Sequence, residues 1–198
     1  MKKLLLTTLV TVLLFTQLYS VDTQAISNEN TLQDIVESVN GNDGNADITD
    51  QEIEEFAKIG EVYESYIYKK GRWYEIDDKK LAESNLNEAQ KNELQEYILT
   101  KNQLSDDTGL NLARAKWMFY GRYCGKGNKG GKPIDDLDAA CKRHDECYAK
   151  HGWGKCKCDK PFIKATAKVA RNKKYSSYKR KKAAQASVLF SVAYKRCK

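Results

Sequence analysis

Proline and histidine are nearly missing from this 198-residue chain, which holds two of each. So little proline and the lack of any internal repeat exclude collagen-like and solenoid architectures. Residues 26–105 contain no Cys, Pro or His. Beyond the first 21 residues the longest uncharged run is the twelve residues 183–194. What is present suffices for a packed core, since 41% of residues are hydrophobic and 10% aromatic.

The exception is the N-terminus. Met1-Lys2-Lys3 precedes an uncharged stretch from Leu4 to Val21, the pattern of a secretory signal. Four Thr, one Gln and one Ser dilute that stretch and weaken the alternative, a retained membrane anchor. Cleavage is expected after Ser20 or Ala25, so residues 1–25 read as a signal peptide of a secreted, extracellular protein. The six cysteines (124, 141, 147, 156, 158 and 197) all fall in the last 75 residues. An even, clustered count in an exported chain reads as three disulfides. Zinc is the competing use. Cys156-x-Cys158 lacks the usual knuckle spacing, and His144 and His151 are the sole imidazoles available.

Charge divides the chain in two. Residues 26–108 carry 20 acids and 8 bases, and residues 109–198 carry 6 acids and 24 bases. The net +7 therefore hides a −12 segment joined to a +18 segment. In the acidic part, Thr49 or Asp50 caps a helix with Ile53, Phe56 and Ala57 at helical spacing, and Tyr63 to Tyr68 continues the apolar run. Asn87 caps a second helix, 84–99, with Leu94, Tyr97 and Ile98 as its stripe. Residues 26–108 read as an acidic pro-segment, a small helical accessory region or a linker. In the basic part, 110–119 reads as a short helix. Residues 120–133 hold five Gly and form a loop. Three longer helices follow, over 135–150, 159–172 and 177–195. No period-two strand stands out, so the fold class is mainly α.

The chemistry concentrates in Tyr120-Gly121-Arg122-Tyr123-Cys124-Gly125-Lys126-Gly127-Asn128 and in Cys141-Lys142-Arg143-His144-Asp145-Glu146-Cys147-Tyr148. On a helix, Cys141, His144, Asp145 and Tyr148 share one face. His144 is a general base suited to neutral pH. Asp145 is a hard oxygen ligand, and glycines let loop carbonyls converge, which together make a calcium set. A bridge from Cys124 to Cys141 would clamp loop over helix.

These two blocks, in this order and separation, resemble the secreted phospholipase A2 family. Its signature couples a Tyr-Gly-x-Tyr-Cys-Gly-x-Gly loop to a Cys-x-x-His-Asp-x-Cys-Tyr helix. Cys156-Lys157-Cys158-Asp159 resembles the start of the family's second long helix. The resemblance covers residues 110–198. It implies a disulfide-linked core of two antiparallel helices with a calcium loop, and hydrolysis of the sn-2 ester of glycerophospholipids. It assigns His144 as general base on water, Asp159 as the group orienting it and Tyr148 as that aspartate's partner. The Gly125 amide would face the oxyanion. Tyr123, Gly125 and Gly127 carbonyls with the Asp145 carboxylate would hold Ca2+. It also implies the pairs Cys124–Cys141, Cys147–Cys158 and, for the last two, Cys156–Cys197. By sequence alone fifteen pairings are open.

The chain departs from the family in three places. Ala140 stands where a cysteine is common, the glycine loop is about one residue longer than in the vertebrate pancreatic type, and residues 150–155 leave no room for the small β-wing. The expected partner is an anionic phospholipid surface, with no nucleic acid and a monomeric state. Trp117, Trp153, Phe119 and Phe162 either meet lipid or fill core. Two readings compete: a calcium-dependent phospholipase, or a cationic membrane-binding toxin or antimicrobial module that needs no hydrolysis. The acidic segment either screens the basic surface until proteolysis or is an independent accessory domain.

Overall fold

Helix α1, Asp50–Ser65, begins at a reciprocal cap: Thr49 Oγ1 accepts the Glu52 N–H while the Thr49 N–H donates to Glu52 Oε2. A computed structural model describes residues 47–105, 119–125 and 127–197 of the chain. The signal peptide, the 110–119 helix up to residue 118, Trp117 and the boundary at 108–109 lie outside the described residues.

One face of α1 buries Ile53, Phe56, Ala57, Gly60 and Tyr63, which recur at three- and four-residue steps. The chain then reverses into a hairpin, where β1 (Ile67–Lys70) pairs antiparallel with β2 (Trp73–Ile76). Gly71 supplies the turn's positive φ of 61°. The fold is mainly α as expected, and this small hairpin is the strand pair that showed no period-two signal in the sequence. The aromatic run from Tyr63 to Tyr68 does not continue α1 beyond Ser65. It breaks at Tyr66 and feeds a strand, because Ile67 and Ile76, paired with each other at the open end of the hairpin, pack together against the core. The Asn102 side chain receives the Tyr74 N–H and donates to the Tyr74 carbonyl, occupying β2's outer groups. A short helix α2, Asp78–Ala82, leads to α3, Glu88–Ser105. Asn87 and Gln90 cap α3 reciprocally, with each side-chain oxygen accepting the other's N–H at 2.9 Å. The helix starts four residues later than the stripe suggested and runs six further.

The basic part supplies α4 (Asp136–His151), α5 (Cys156–Arg171) and α6 (Ser177–Lys195). Asp135 and Ser176 cap α4 and α6. A four-residue turn joins α4 to α5. His144 meets Asp159 and Cys147 meets Cys158, so the two helices run antiparallel. The three disulfides are Cys124–Cys141, Cys147–Cys158 and Cys156–Cys197.

Helix α6 lies between α5 and α1 and is buried along most of its length. Its small residues, among them Ala183, Ala184 and Ser187, permit the close approach to α5. Across α1, a Cβ on Gly60 would come within 2.3 Å of Val192. One apolar cluster therefore contains Ile53, Phe56, Tyr63, Leu94 and Tyr97 from the acidic part and Ile163, Val188 and Phe190 from the basic part. Ion pairs trim its edges: Asp50–Lys160, Glu93–Lys181, Glu54 and Glu61 with Lys195, and Glu64–Arg196 at 2.6–3.3 Å, with Glu52–Arg171 more buried. Exposed pairs of this kind contribute little each, so apolar burial is the main adhesive between the two parts.

Candidate active site

The glycine loop is held to α4 by a single carboxylate. Asp138 is wholly buried, and its Oδ1 accepts the Arg122 and Tyr123 N–H groups at 2.9 and 2.8 Å while Oδ2 accepts the Ile134 N–H at 3.0 Å. Gly121, at φ 60°, makes this possible, because a Cβ there would sit 2.4–2.7 Å from that carboxylate. Tyr120 and Cys124 exchange backbone hydrogen bonds, and Cys124–Cys141 pins the loop covalently to α4. Gly125 and Gly127 have φ of 99° and 86°, values that favour glycine. Gly125 also leaves room for the Phe119 ring, which a Cβ would meet at 2.8 Å. Farther along, the Tyr123 hydroxyl donates to the Gly131 carbonyl at 2.6 Å and closes the loop on itself.

One turn beyond Cys141, His144 points into the α4–α5 interface. Its Nε2 lies 2.9 Å from Asp159 Oδ1, and the Tyr148 hydroxyl donates to the same oxygen. His144 is 6% exposed and Asp159 1%. An Nε2–H that donates to the carboxylate leaves the lone pair on Nδ1. Aromatic rings fix the imidazole plane: Phe162 stacks on it at 4.2 Å, Tyr148 tilts against it at 4.2 Å, and the edge of Phe190 meets it at 4.7 Å. Asp159 Oδ2 is buried with no hydrogen-bond partner, so the aspartate's bonds all converge on Oδ1.

Asp145 is half-buried. Burial first, then the neighbouring carboxylates of Glu146 and Asp138, push its pKa up to about 6. No cationic side chain pairs with it among the described residues. A carboxylate so strained electrostatically, next to a glycine loop, fits a hard cation. Among the described residues no three His, Cys, Asp or Glu side chains gather as a metal cage. A set with a single carboxylate and backbone carbonyls would not form one.

The structure thus brings His144, Tyr148 and Asp159 together in direct contact, and it fixes the strand of loop bearing Tyr123, Gly125 and Gly127 to the helix that carries Asp145. Sequence reasoning missed Asp138. It sits in the first turn of α4, where an acid reads as an ordinary favourable charge at a helix start. Phe162, left open in the sequence between lipid contact and core, and Phe190 both touch the imidazole.

Residues 100–189 match the family model for phospholipase A2. A 36-residue stretch is 64% identical to the acidic phospholipase A2 homolog taipoxin gamma chain of Oxyuranus scutellatus scutellatus, covering 18% of this chain and 23% of that protein. Over 42 residues the chain is 57% identical to the basic phospholipase A2 nigexine of Naja pallida, 20% of this chain and 35% of the relative. Over 64 residues it is 39% identical to phospholipase A2-beta of Arabidopsis thaliana, 31% and 44% of the two chains. The chain spans less than half the length of these curated relatives. No solved structure matches it.

Proposed function

We propose, from the match of residues 100–189 to the phospholipase A2 family model, that the protein is a calcium-dependent hydrolase of the sn-2 ester of membrane glycerophospholipids. The observation that carries the reading is the buried His144–Asp159 pair with Tyr148, on the helix clamped to the glycine loop.

In this reading His144 Nδ1 takes a proton from the attacking water. Asp159 holds the imidazole in the required tautomer and stabilises the imidazolium that forms. Tyr148 and the stacked Phe162 keep both groups from turning away. The Asp145 carboxylate and the Tyr123, Gly125 and Gly127 carbonyls would hold Ca2+, and the Gly125 N–H would serve the negative charge that develops on the ester oxygen. Bound Ca2+ would polarise the ester carbonyl and stabilise that charge. A membrane toxin acting without hydrolysis needs no such buried pair.

The remaining parts of the proposal are a signal peptide at 1–25, export to an extracellular and phospholipid-rich setting, and an accessory region at 26–108. The core shared by α1, α3 and α6 supports a permanent accessory region over an excisable pro-segment. The test is phosphatidylcholine labelled only in its sn-2 chain. Labelled fatty acid with unlabelled lysolipid, formed with calcium and abolished by chelator, agrees with the proposal. Labelled lysolipid, or release indifferent to chelator, contradicts it.

A further inference from the structure

The cations of the basic part are not screened evenly. The acidic part pairs with Lys160, Lys168, Arg171, Lys181, Lys195 and Arg196, all on α5, α6 or the residue after it. At the turn between α4 and α5, Lys150, Lys155 and Lys157 have no carboxylate partner among the described residues. In their midst Trp153 is 75% exposed, the most exposed large apolar side chain among the described residues.

The turn is built to display that indole. Gly152 and Gly154 flank it with φ of 90° and 68°. Cys147–Cys158 and Cys156–Cys197 fasten the chain on the far side of the turn to α4 and to Cys197, two residues beyond α6. The Lys155 stem lies over Gly152, where a Cβ would meet its Cε at 3.7 Å. Desolvation lowers the pKa of His151, and the charges of Lys157 and Lys150 lower it further. The Trp153 ring lies 4.9 Å from Tyr148, which donates to Asp159 and tilts against His144. Two ring contacts separate the exposed indole from the imidazole.

We propose that the Gly152-Trp153-Gly154 turn, with Lys150, Lys155 and Lys157, is an anchor that seats the protein on anionic phospholipid bilayers. Indole rings favour the headgroup level of a bilayer, and clustered lysines favour its anionic surface. A rigid turn loses little freedom on binding. The inference rests on the phospholipase reading for its choice of a lipid partner, but not on hydrolysis.

The experiment is co-sedimentation of the full chain with phosphatidylcholine vesicles, with and without phosphatidylserine, in chelator. A combined Lys150→Ala, Lys155→Ala, Lys157→Ala variant is expected to bind anionic vesicles on the order of a hundredfold more weakly, about fivefold per lysine. Trp153→Ala should weaken binding to both vesicle types and remove most of the emission shift that accompanies it. Lys69→Ala with Lys79→Ala removes two exposed cations of the acidic part and serves as the comparison. An equal loss in that comparison, or unchanged binding in the triple variant with native circular dichroism, overturns the anchor. RNA displacing the vesicles from the same lysines would also overturn it, in favour of a nucleic-acid surface. Intact local binding with no lipid hydrolysis would count against the enzyme reading alone.

Discussion

The Tyr123 N–H donates to Asp138 Oδ1 at 2.8 Å, and this contact ties the glycine loop to the helix that carries His144 and Asp145. Two further backbone N–H groups, of Arg122 and Ile134, share the carboxylate.

Replacing Asp138 by Ala leaves those three donors without their acceptor in a site closed to solvent. An unsatisfied buried donor costs about 1–3 kcal/mol, so Asp138→Ala is expected to lower stability by several times the effect of an exposed substitution. It should also weaken calcium binding, because the loop keeps its Cys124–Cys141 bridge but loses the hydrogen bonds that fix its backbone. Urea unfolding and calcium titration calorimetry read both effects. Asp138→Asn, which keeps one acceptor oxygen, should fall between the variant and the native protein.

Asp145 gives a pH dependence of definite sign. Its folded-state pKa is raised from 3.8 to about 6, so the calcium-free folded chain binds the proton more tightly than the unfolded chain. Stability is therefore fullest below pH 3.8, falls as pH rises through the window to about 6, and is flat with respect to this group above it. Asp145→Asn removes the penalty. In chelator at pH 8 the variant is expected to be more stable than the native chain by on the order of 1 kcal/mol, after allowing for the solvent that half-exposure admits. The difference should vanish near pH 3. Thermal melts across pH check this, and equal melting temperatures at pH 8 would contradict it.

Phe56 tests whether the acidic part is integral to the fold. It is 2% exposed on α1 and belongs to the cluster that contains Val188 and Phe190 of α6. Phe56→Ala is expected to cost about 3–5 kcal/mol, and the whole described chain should still unfold in one transition. Two transitions, with only the lower one moved, would mean that residues 47–105 fold by themselves.

The three helices of the basic part were legible because their apolar stripes are local and, at Asp135, a cap residue agrees with them; α5 begins at Cys156, three residues before the expected start at 159. The phospholipase resemblance was legible because its motifs are short and contiguous. Long-range relationships were not. The hairpin at 67–76 depends on Asn102, 28 residues away, to occupy the Tyr74 backbone groups. The shared core depends on Gly60 meeting Val192, which no local spacing foretells. Opposite charge on the two halves hinted at their contact, but the contact itself is chiefly apolar. Asp138 escaped notice because its chemistry is exerted on backbone N–H groups, which leave no trace in side-chain patterns.

The most direct test is the rate of fatty-acid release from phosphatidylcholine vesicles by three chains at saturating calcium: native, His144→Gln and Asp159→Asn. The account expects calcium binding and circular dichroism to be kept in all three, no release by His144→Gln, and a fall in kcat on the order of 10²–10⁴ for Asp159→Asn. Release by His144→Gln at the native rate would contradict it.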